Sequence, residues 1–259
     1  MDELKIAIQL MTQRIAEILK WNAPAIYLYG SVTLNDFKIG WSDIDILVLT
    51  EHKISEAQAQ KLVKLRQTML EEDSENRYYR LFEGGMLTTN ALQFGTTDTV
   101  VYWGTNGERI DNHYVFDAFC MSELLDNGVL LYGNDIRAVF VHPDFDELRE
   151  NVQRHYETIR KYAVLSGRSL YAYGWLLDIS RCIYTLRTRK IIAKTTAREW
   201  ALKEKLCPCE GALAKAVKIR KDLLLYKNDT EIYDYAETIG EEIQMYANVL
   251  EQELKRKNS

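Results

Sequence analysis

The sequence has no apolar stretch approaching the roughly 18 residues that a membrane-crossing helix needs. Its opening residues, MDELKIAIQL, show neither a basic start nor a secretory apolar core, which leads to the expectation of a soluble, cytoplasmic protein with no membrane partner. Histidines number only four, and none are paired at ligand spacing. Of the four cysteines, Cys120, Cys182, Cys207 and Cys209, only the Cys207-Pro208-Cys209 pair is clustered. One residue between cysteines, with no His nearby, is not zinc-finger spacing, so all four are expected as reduced thiols. There is no internal repeat, no low-complexity linker and no excess of basic residues: Lys and Arg total 33 against 38 Asp and Glu, a net charge of -5. That balance argues against a nucleic-acid partner, which would need a basic stripe, and suits a cationic small molecule better. What remains is 259 residues that are 47% hydrophobic, enough for one large domain or two smaller ones.

The most informative stretch is 27–50, YLYGSVTLNDFKIGWSDIDILVLT. Apolar strand-like runs flank a turn-rich segment that opens with Gly30-Ser31 and closes with Ser42-Asp43-Ile44-Asp45. Strand side chains alternate between faces, so Asp43 and Asp45 should project together while Ile44, Ile46 and Val48 face the other way. Two carboxylates on one face with no basic residue between them repel unless a cation sits there. Mg²⁺ suits them, because it takes oxygen ligands and combines one or two carboxylates with substrate phosphates. Gly30 permits a tight turn after the first strand. If a helix begins at Ser31, its open N–H groups and the Ser31 hydroxyl suit a triphosphate. The alternative for the aspartates is a solvated strand end.

Gly-Ser followed by Asp-x-Asp at the head of an apolar strand resembles the signature of the nucleotidyltransferase superfamily that includes DNA polymerase beta. Within it, the chain is similar to the aminoglycoside adenylyltransferases that modify streptomycin and spectinomycin. That similarity covers most of the chain and centres, in the second half, on LLDISRCIYTLRTRKIIAKTTAREWAL. It implies an α+β protein: an N-terminal nucleotidyltransferase domain (1–138) with a small mixed sheet and helices, then a C-terminal helical bundle (139–259). It also implies ATP as co-substrate, Mg²⁺ on Asp43 and Asp45, and nucleotide contacts at Gly30, Ser31 and Ser42.

The same resemblance assigns further residues. A glutamate on the strand beside the aspartates acts as general base in those enzymes, which points to Glu83; the alternative is a glutamate exposed at a strand edge. Gly84-Gly85 departs from the β-branched residues usual after it, so a bulge or tight bend is expected there. Trp103 matches a region where a tryptophan packs on the antibiotic, and a core position is the alternative. In Lys194-Thr195-Thr196-Ala197-Arg198-Glu199-Trp200, the family carries an acid after the lysine and another before the tryptophan. Here Thr195 replaces the first and Glu199 keeps the second, though Thr196 and Glu199 also satisfy a capping box. Lys218, Arg220 and Lys221, with Lys215, make a basic cluster suited to a triphosphate, or else a solvated face.

The remaining pattern gives element expectations. Leu4, Ile8, Met11, Ile15 and Ile18 mark a first helix, and Ser55 with Gln58 caps a second. Strands are expected at the start of the segment 78–94, which carries Glu83, at 99–103 and, buried, at 128–133, with a turn at 104–107 and a helix over 113–125. The bundle should hold helices over 148–165 and 170–186, the second central, with an Asp178–Arg181 ion pair, and one last helix carrying Ile232 to Leu250. Taken together, the expected reaction is transfer of AMP from ATP to a hydroxyl of an aminoglycoside or aminocyclitol. A protein or other small-molecule acceptor, extension of a nucleic acid, and a nucleotide-binding regulator remain as alternatives.

Overall fold

The apolar stripe of the N-terminal segment forms α1 (Glu3–Ile18), which buries Ala7, Ile8, Met11 and Ile15. The two runs of the 27–50 stretch become β1 (Ala25–Tyr29) and β2 (Ile44–Thr50), paired antiparallel. Both strands are apolar on both faces because they lie inside a sheet covered on each side. These coordinates belong to a computed structural model that describes residues 3–104 and 107–256.

The chain forms two units, Met1–Leu34 with Ser42–His142, and Asn35–Trp41 with Pro143–Ser259. The first holds a mixed six-stranded sheet in the order β5-β4-β3-β2-β1-β6. Here β3 is Phe82–Thr88, β4 Val100–Gly104, β5 Gly107–Asp111 and β6 Val129–Tyr132. Among the described residues only the β2–β3 pair is parallel. Its crossover is α2 (Glu56–Glu72), which opens with the expected Ser55–Gln58 capping box. The sheet face carrying Tyr27, Tyr29, Leu47, Leu49 and Leu87 is covered by Leu124 and its neighbours on α4 (Ala118–Asn127). A short α3 (Thr89–Phe94) follows β3.

Several local expectations are corrected. Tyr79–Leu81 is a 3-10 turn, so the third strand begins only at Phe82. Residues 113–117 are not helical; α4 starts after Asp117, whose carboxylate accepts from the Cys120 N–H at 2.9 Å. The run at 129–132 is an edge strand rather than a buried one, with Val129 and Tyr132 nearly half exposed. The polar strand β5 gave no sequence signal, and Thr105 and Asn106 of the expected turn lie outside the described residues. No bulge follows Glu83: β3 stays in register with β2 from Phe82 to Thr88. Gly84 has φ +146°, and a Cβ there would stand 1.8 Å from the Ile46 carbonyl oxygen. A Cβ on Gly85 would meet the Tyr114 ring at 2.6 Å. The two glycines therefore buy space for close neighbours rather than a bend.

The second unit is helical: α5 (Phe145–Tyr162), α6 (Tyr171–Thr188), α7 (Lys194–Lys203), α8 (Glu210–Lys221), α9 (Leu223–Tyr226), α10 (Thr230–Thr238) and α11 (Gly240–Lys255). Asp144 and Glu147 make the capping box that starts α5. As expected, α6 is central, buried on several sides and packed against α5, α7, α8, α10 and α11. The last helix is divided. A Cβ on Gly240 would lie 2.2 Å from the Val164 carbonyl, so the close approach of this backbone coincides with the break between α10 and α11. Asp178 pairs with Lys194 at 2.7 Å, and the charge of Arg181 acts on the same carboxylate. Among the described residues no helix is long and apolar enough to cross a membrane.

Candidate active site

Where β1 ends, Gly30 turns the chain at φ +69°, and a Cβ on it would lie 2.1 Å from Asp45 Oδ2. The carboxylate thus occupies the space a side chain would need. The Ser31 backbone N–H donates to Asp45, and the Ser31 hydroxyl donates to the Asp43 carbonyl at 3.3 Å. After Gly30 the chain makes a turn, closed by Leu34 N–H to the Gly30 carbonyl at 3.1 Å and Thr33 Oγ1 to the same oxygen at 3.0 Å. The expected helix from Ser31 is absent; a single turn presents the backbone instead.

The register assembles the rest. Tyr29 stands opposite Asp45 on β2, and Asp45 stands opposite Glu83 on β3. The parallel β2–β3 pair puts the two carboxylates side by side on one face, with strands about 5 Å apart. Asp43 precedes β2 and is exposed, while Ser42 is buried. Tyr102 on β4 donates its hydroxyl to Glu83 Oε1 at 3.0 Å. Asp43, Asp45 and Glu83 therefore converge, the pair read from strand alternation and the glutamate that the resemblance implied.

Glu123 on α4 is the residue that sequence reasoning missed. It is buried, and it acts on Asp45 more strongly than Asp43 or Glu83 does. Burial first, then the charges of Glu123, Asp43 and Glu83, hold the Asp45 carboxyl well above the ordinary carboxylate range; the Ser31 N–H pulls it the other way. Two charges about 5 Å apart repel by about 3 kcal/mol at an effective dielectric near 20. The sequence signal was a single acid inside the apolar run of α4, which is unremarkable until the helix is laid on the sheet.

Such a cluster of carboxylates fits a divalent cation. Among the described residues no three His, Cys, Asp or Glu side chains are grouped to hold a metal alone. Two carboxylates completed by phosphate oxygens and water are the donor set that Mg²⁺ accepts. Asp43 and Asp45 fit that role.

Other expected site residues are placed differently. Trp103 is fully buried, its indole N–H donates to the Leu62 carbonyl at 3.0 Å and the Arg66 guanidinium lies 5.7 Å from its ring centroid. It is a core residue of the first unit, not a surface for an acceptor. Arg220, in the second unit, is also buried; it pairs with Asp36 at 3.1 Å, and Thr195 donates to the same carboxylate through Oγ1 at 2.6 Å. Its guanidinium is engaged structurally and is withdrawn as a nucleotide contact. Lys218 and Lys221 are exposed on α8. Lys221 lies 3.5 Å from Glu199, which is more than half exposed. Because α7 starts after Ala193 with no side-chain cap, the Thr196–Glu199 capping box does not form.

Residues 13–80, which include the Gly30–Asp45 motif, match the family model of the nucleotidyltransferase domain. Apart from residues 35–41, that match lies within the first unit. Over nearly the whole chain the fold is that of spectinomycin adenyltransferase AAD(9) from Enterococcus faecialis, solved with ATP and spectinomycin. The TM-score is 0.65 at 17% identity, covering 94% of this chain and 98% of that one. No curated protein matches the chain. The domain match supports a nucleotidyltransferase enzyme, and the solved structure shows a shared fold.

Proposed function

We propose that this protein is a Mg²⁺-dependent adenylyltransferase that moves AMP from ATP to a hydroxyl of an aminoglycoside or aminocyclitol, with release of pyrophosphate. The observation that carries the reading is the row Asp45–Glu83 on adjacent parallel strands, with Asp43 beside it and the Gly30–Ser31 turn against Asp45. The solved structure of similar fold holds ATP and spectinomycin, which supports the nucleotide and the class of acceptor.

Asp43 and Asp45 would hold the cation, which when bound would neutralise phosphate charge. Ser31 and the backbone of the turn orient the phosphates. Glu83, steadied by the Tyr102 hydroxyl, accepts the proton of the acceptor hydroxyl as its oxygen bonds to the α-phosphorus. The bond from that phosphorus to the bridging oxygen breaks, and the electron pair leaves on pyrophosphate. A positioned base of this kind supplies about two to four orders of magnitude, and charge neutralisation provides much of the remainder. On the second unit, Glu199 offers an exposed carboxylate to a cationic acceptor, and Lys218 and Lys221 offer cations of the kind a polyphosphate needs.

The test is pyrophosphate release, with mass detection of the AMP-modified product, across an aminocyclitol and aminoglycoside panel. Release with one drug class, lost in Asp45→Asn and Glu83→Gln, supports the reading. Silence across the panel while ATP still binds overturns the antibiotic acceptor.

A further inference from the structure

The Cys207-Pro208-Cys209 stretch has no part in the candidate active site. It occupies the turn between α7 and α8, where Lys205, Pro208 and Glu210 are exposed. A proline fixes its own φ and drives the residue before it out of the helical region, so the chain cannot wind on through Cys207. Both thiols turn inward: Cys207 is 3% and Cys209 9% exposed. Their sulfurs stand 3.3 Å apart, and Cys209 Sγ lies 3.4 Å from the Glu242 carbonyl on α11, to which it donates as a thiol. Residues two apart have Cα atoms no more than about 7 Å from each other, close to the range that a disulfide bridges. Reaching the S–S distance of about 2.05 Å is a shift of roughly 1 Å, within the reach of side-chain rotation.

Position then divides the roles. Cys209 is the N-cap residue of α8, which runs 12 residues from Glu210, and its own side chain makes no cap bond. Open N–H groups at a helix start favour a thiolate. The Cys207 S–H, donating to Cys209, holds the Cys209 thiol below its ordinary range, while Cys207 is itself pushed up by that bond and by burial. Cys182 and Cys120 supply the contrast: burial pushes the first up to about 12 and holds the second well above the ordinary thiol range. Among the described residues no group of three His, Cys, Asp or Glu forms around the pair to hold a metal, which leaves the chemistry of two neighbouring sulfurs.

We propose that Cys207 and Cys209 are a reactive dithiol that closes to an internal disulfide by exchange with a small-molecule disulfide. Cys209, its proton lost to solvent, attacks one sulfur of the RS–SR reagent; a Cys209–SR bond forms, and the departing RS⁻ takes up a proton. Cys207 then loses its proton to solvent and attacks Cys209 Sγ. The Cys207–Cys209 bond forms, and the second RS⁻ leaves and is protonated. Two electrons pass from the pair to the reagent, which departs as two thiols. The pair shares no residue with the candidate active site, so it stands apart from the adenylyltransferase reading.

The test incubates the whole reduced protein with oxidised glutathione, then alkylates the remaining thiols in denaturant. Trypsin leaves both cysteines in the peptide 206–215. In the wild type that peptide should lose two hydrogens in mass and carry no alkyl group, while Cys120 and Cys182 stay alkylated; dithiothreitol should restore the reduced mass. Cys207→Ser keeps a hydroxyl donor beside Cys209 and should accumulate the glutathione adduct there. Cys209→Ser should form its adduct on Cys207 about tenfold more slowly, the change in thiolate fraction for one pKa unit. Phenylarsine oxide, which needs two neighbouring sulfurs, should block exchange in the wild type and in neither serine variant. The wild-type result needs no variant, so a serine variant that fails to fold leaves the test intact. A 206–215 peptide that stays reduced in the native protein and reacts only in denaturant overturns the proposal, as does a wild type that stops at the mixed disulfide or reacts first at Cys120 or Cys182.

Discussion

Asp36 and Asp45 belong to the same short stretch of sequence and meet opposite fates. In the helical unit Asp36 is buried and satisfied by Arg220 and Thr195, so its charge is consumed in holding structure. In the sheet unit Asp45 faces the like charges of Asp43, Glu83 and Glu123, which with burial hold its carboxyl well above the ordinary range. A charge that the fold satisfies reports on packing. One that the fold surrounds with like charge reports on a ligand that is to come.

The largest effect is expected at the like-charged end of that contrast. Glu83→Gln should lower kcat by about a hundred- to ten-thousandfold, the range for loss of a positioned general base, with little change in melting temperature. Single-turnover AMP transfer measures it. At the satisfied end, Arg220→Met should cost about 3–5 kcal/mol of stability, because Asp36 is left buried without its cation. Denaturant unfolding checks this, and a loss under about 1 kcal/mol would show the pair to be dispensable.

Asp45→Asn sharpens the comparison through pH. A carboxyl held above its ordinary range contributes stability at low pH that is lost as pH rises through the raised value. Without Mg²⁺ and ATP, the wild type should therefore lose melting temperature as pH climbs from about 4, the ordinary Asp value. Asp45→Asn should flatten that slope and melt higher at neutral pH, even as transfer disappears. Equal slopes in the two proteins would remove Asp45 from the account.

The smallest effects concern residues beside the site. Tyr102→Phe removes one hydrogen bond to Glu83 and should lower kcat about tenfold or less at unchanged KM. Trp103→Phe should cost about 1–3 kcal/mol of stability, from a lost buried hydrogen bond and a small void. It should leave the KM for the acceptor alone; a raised KM would return Trp103 to the substrate.

Much of this was legible from the chain. Gly30-Ser31 and Asp43-x-Asp45 announced a site because tight turns and paired carboxylates are local features, fixed by residue type and spacing. The capping box at Ser55 was readable for the same reason, since it closes within three residues. Where sequence reading failed, a distant partner had decided the matter. Gly84-Gly85 suggested a bulge, but the Ile46 carbonyl and the Tyr114 ring require that space in a regular strand. Thr196 and Glu199 had capping spacing, yet α7 starts at another residue. Trp103 sat beside a glycine-rich turn and is nonetheless sealed in the core by α2.

The sequence by itself determined the α+β order, the Gly-Ser turn and the carboxylates at 43 and 45, because strand alternation, turn chemistry and caps act over a few residues; Glu83 came only through the family resemblance. Only the tertiary structure decided that Asp45 and Glu83 stand in register, that Glu123 joins them, and that Arg220 is tied to Asp36. Those outcomes depend on which groups are brought together across long separations. Burial then sets the value of each charge, and neither pairing nor burial is written in spacing.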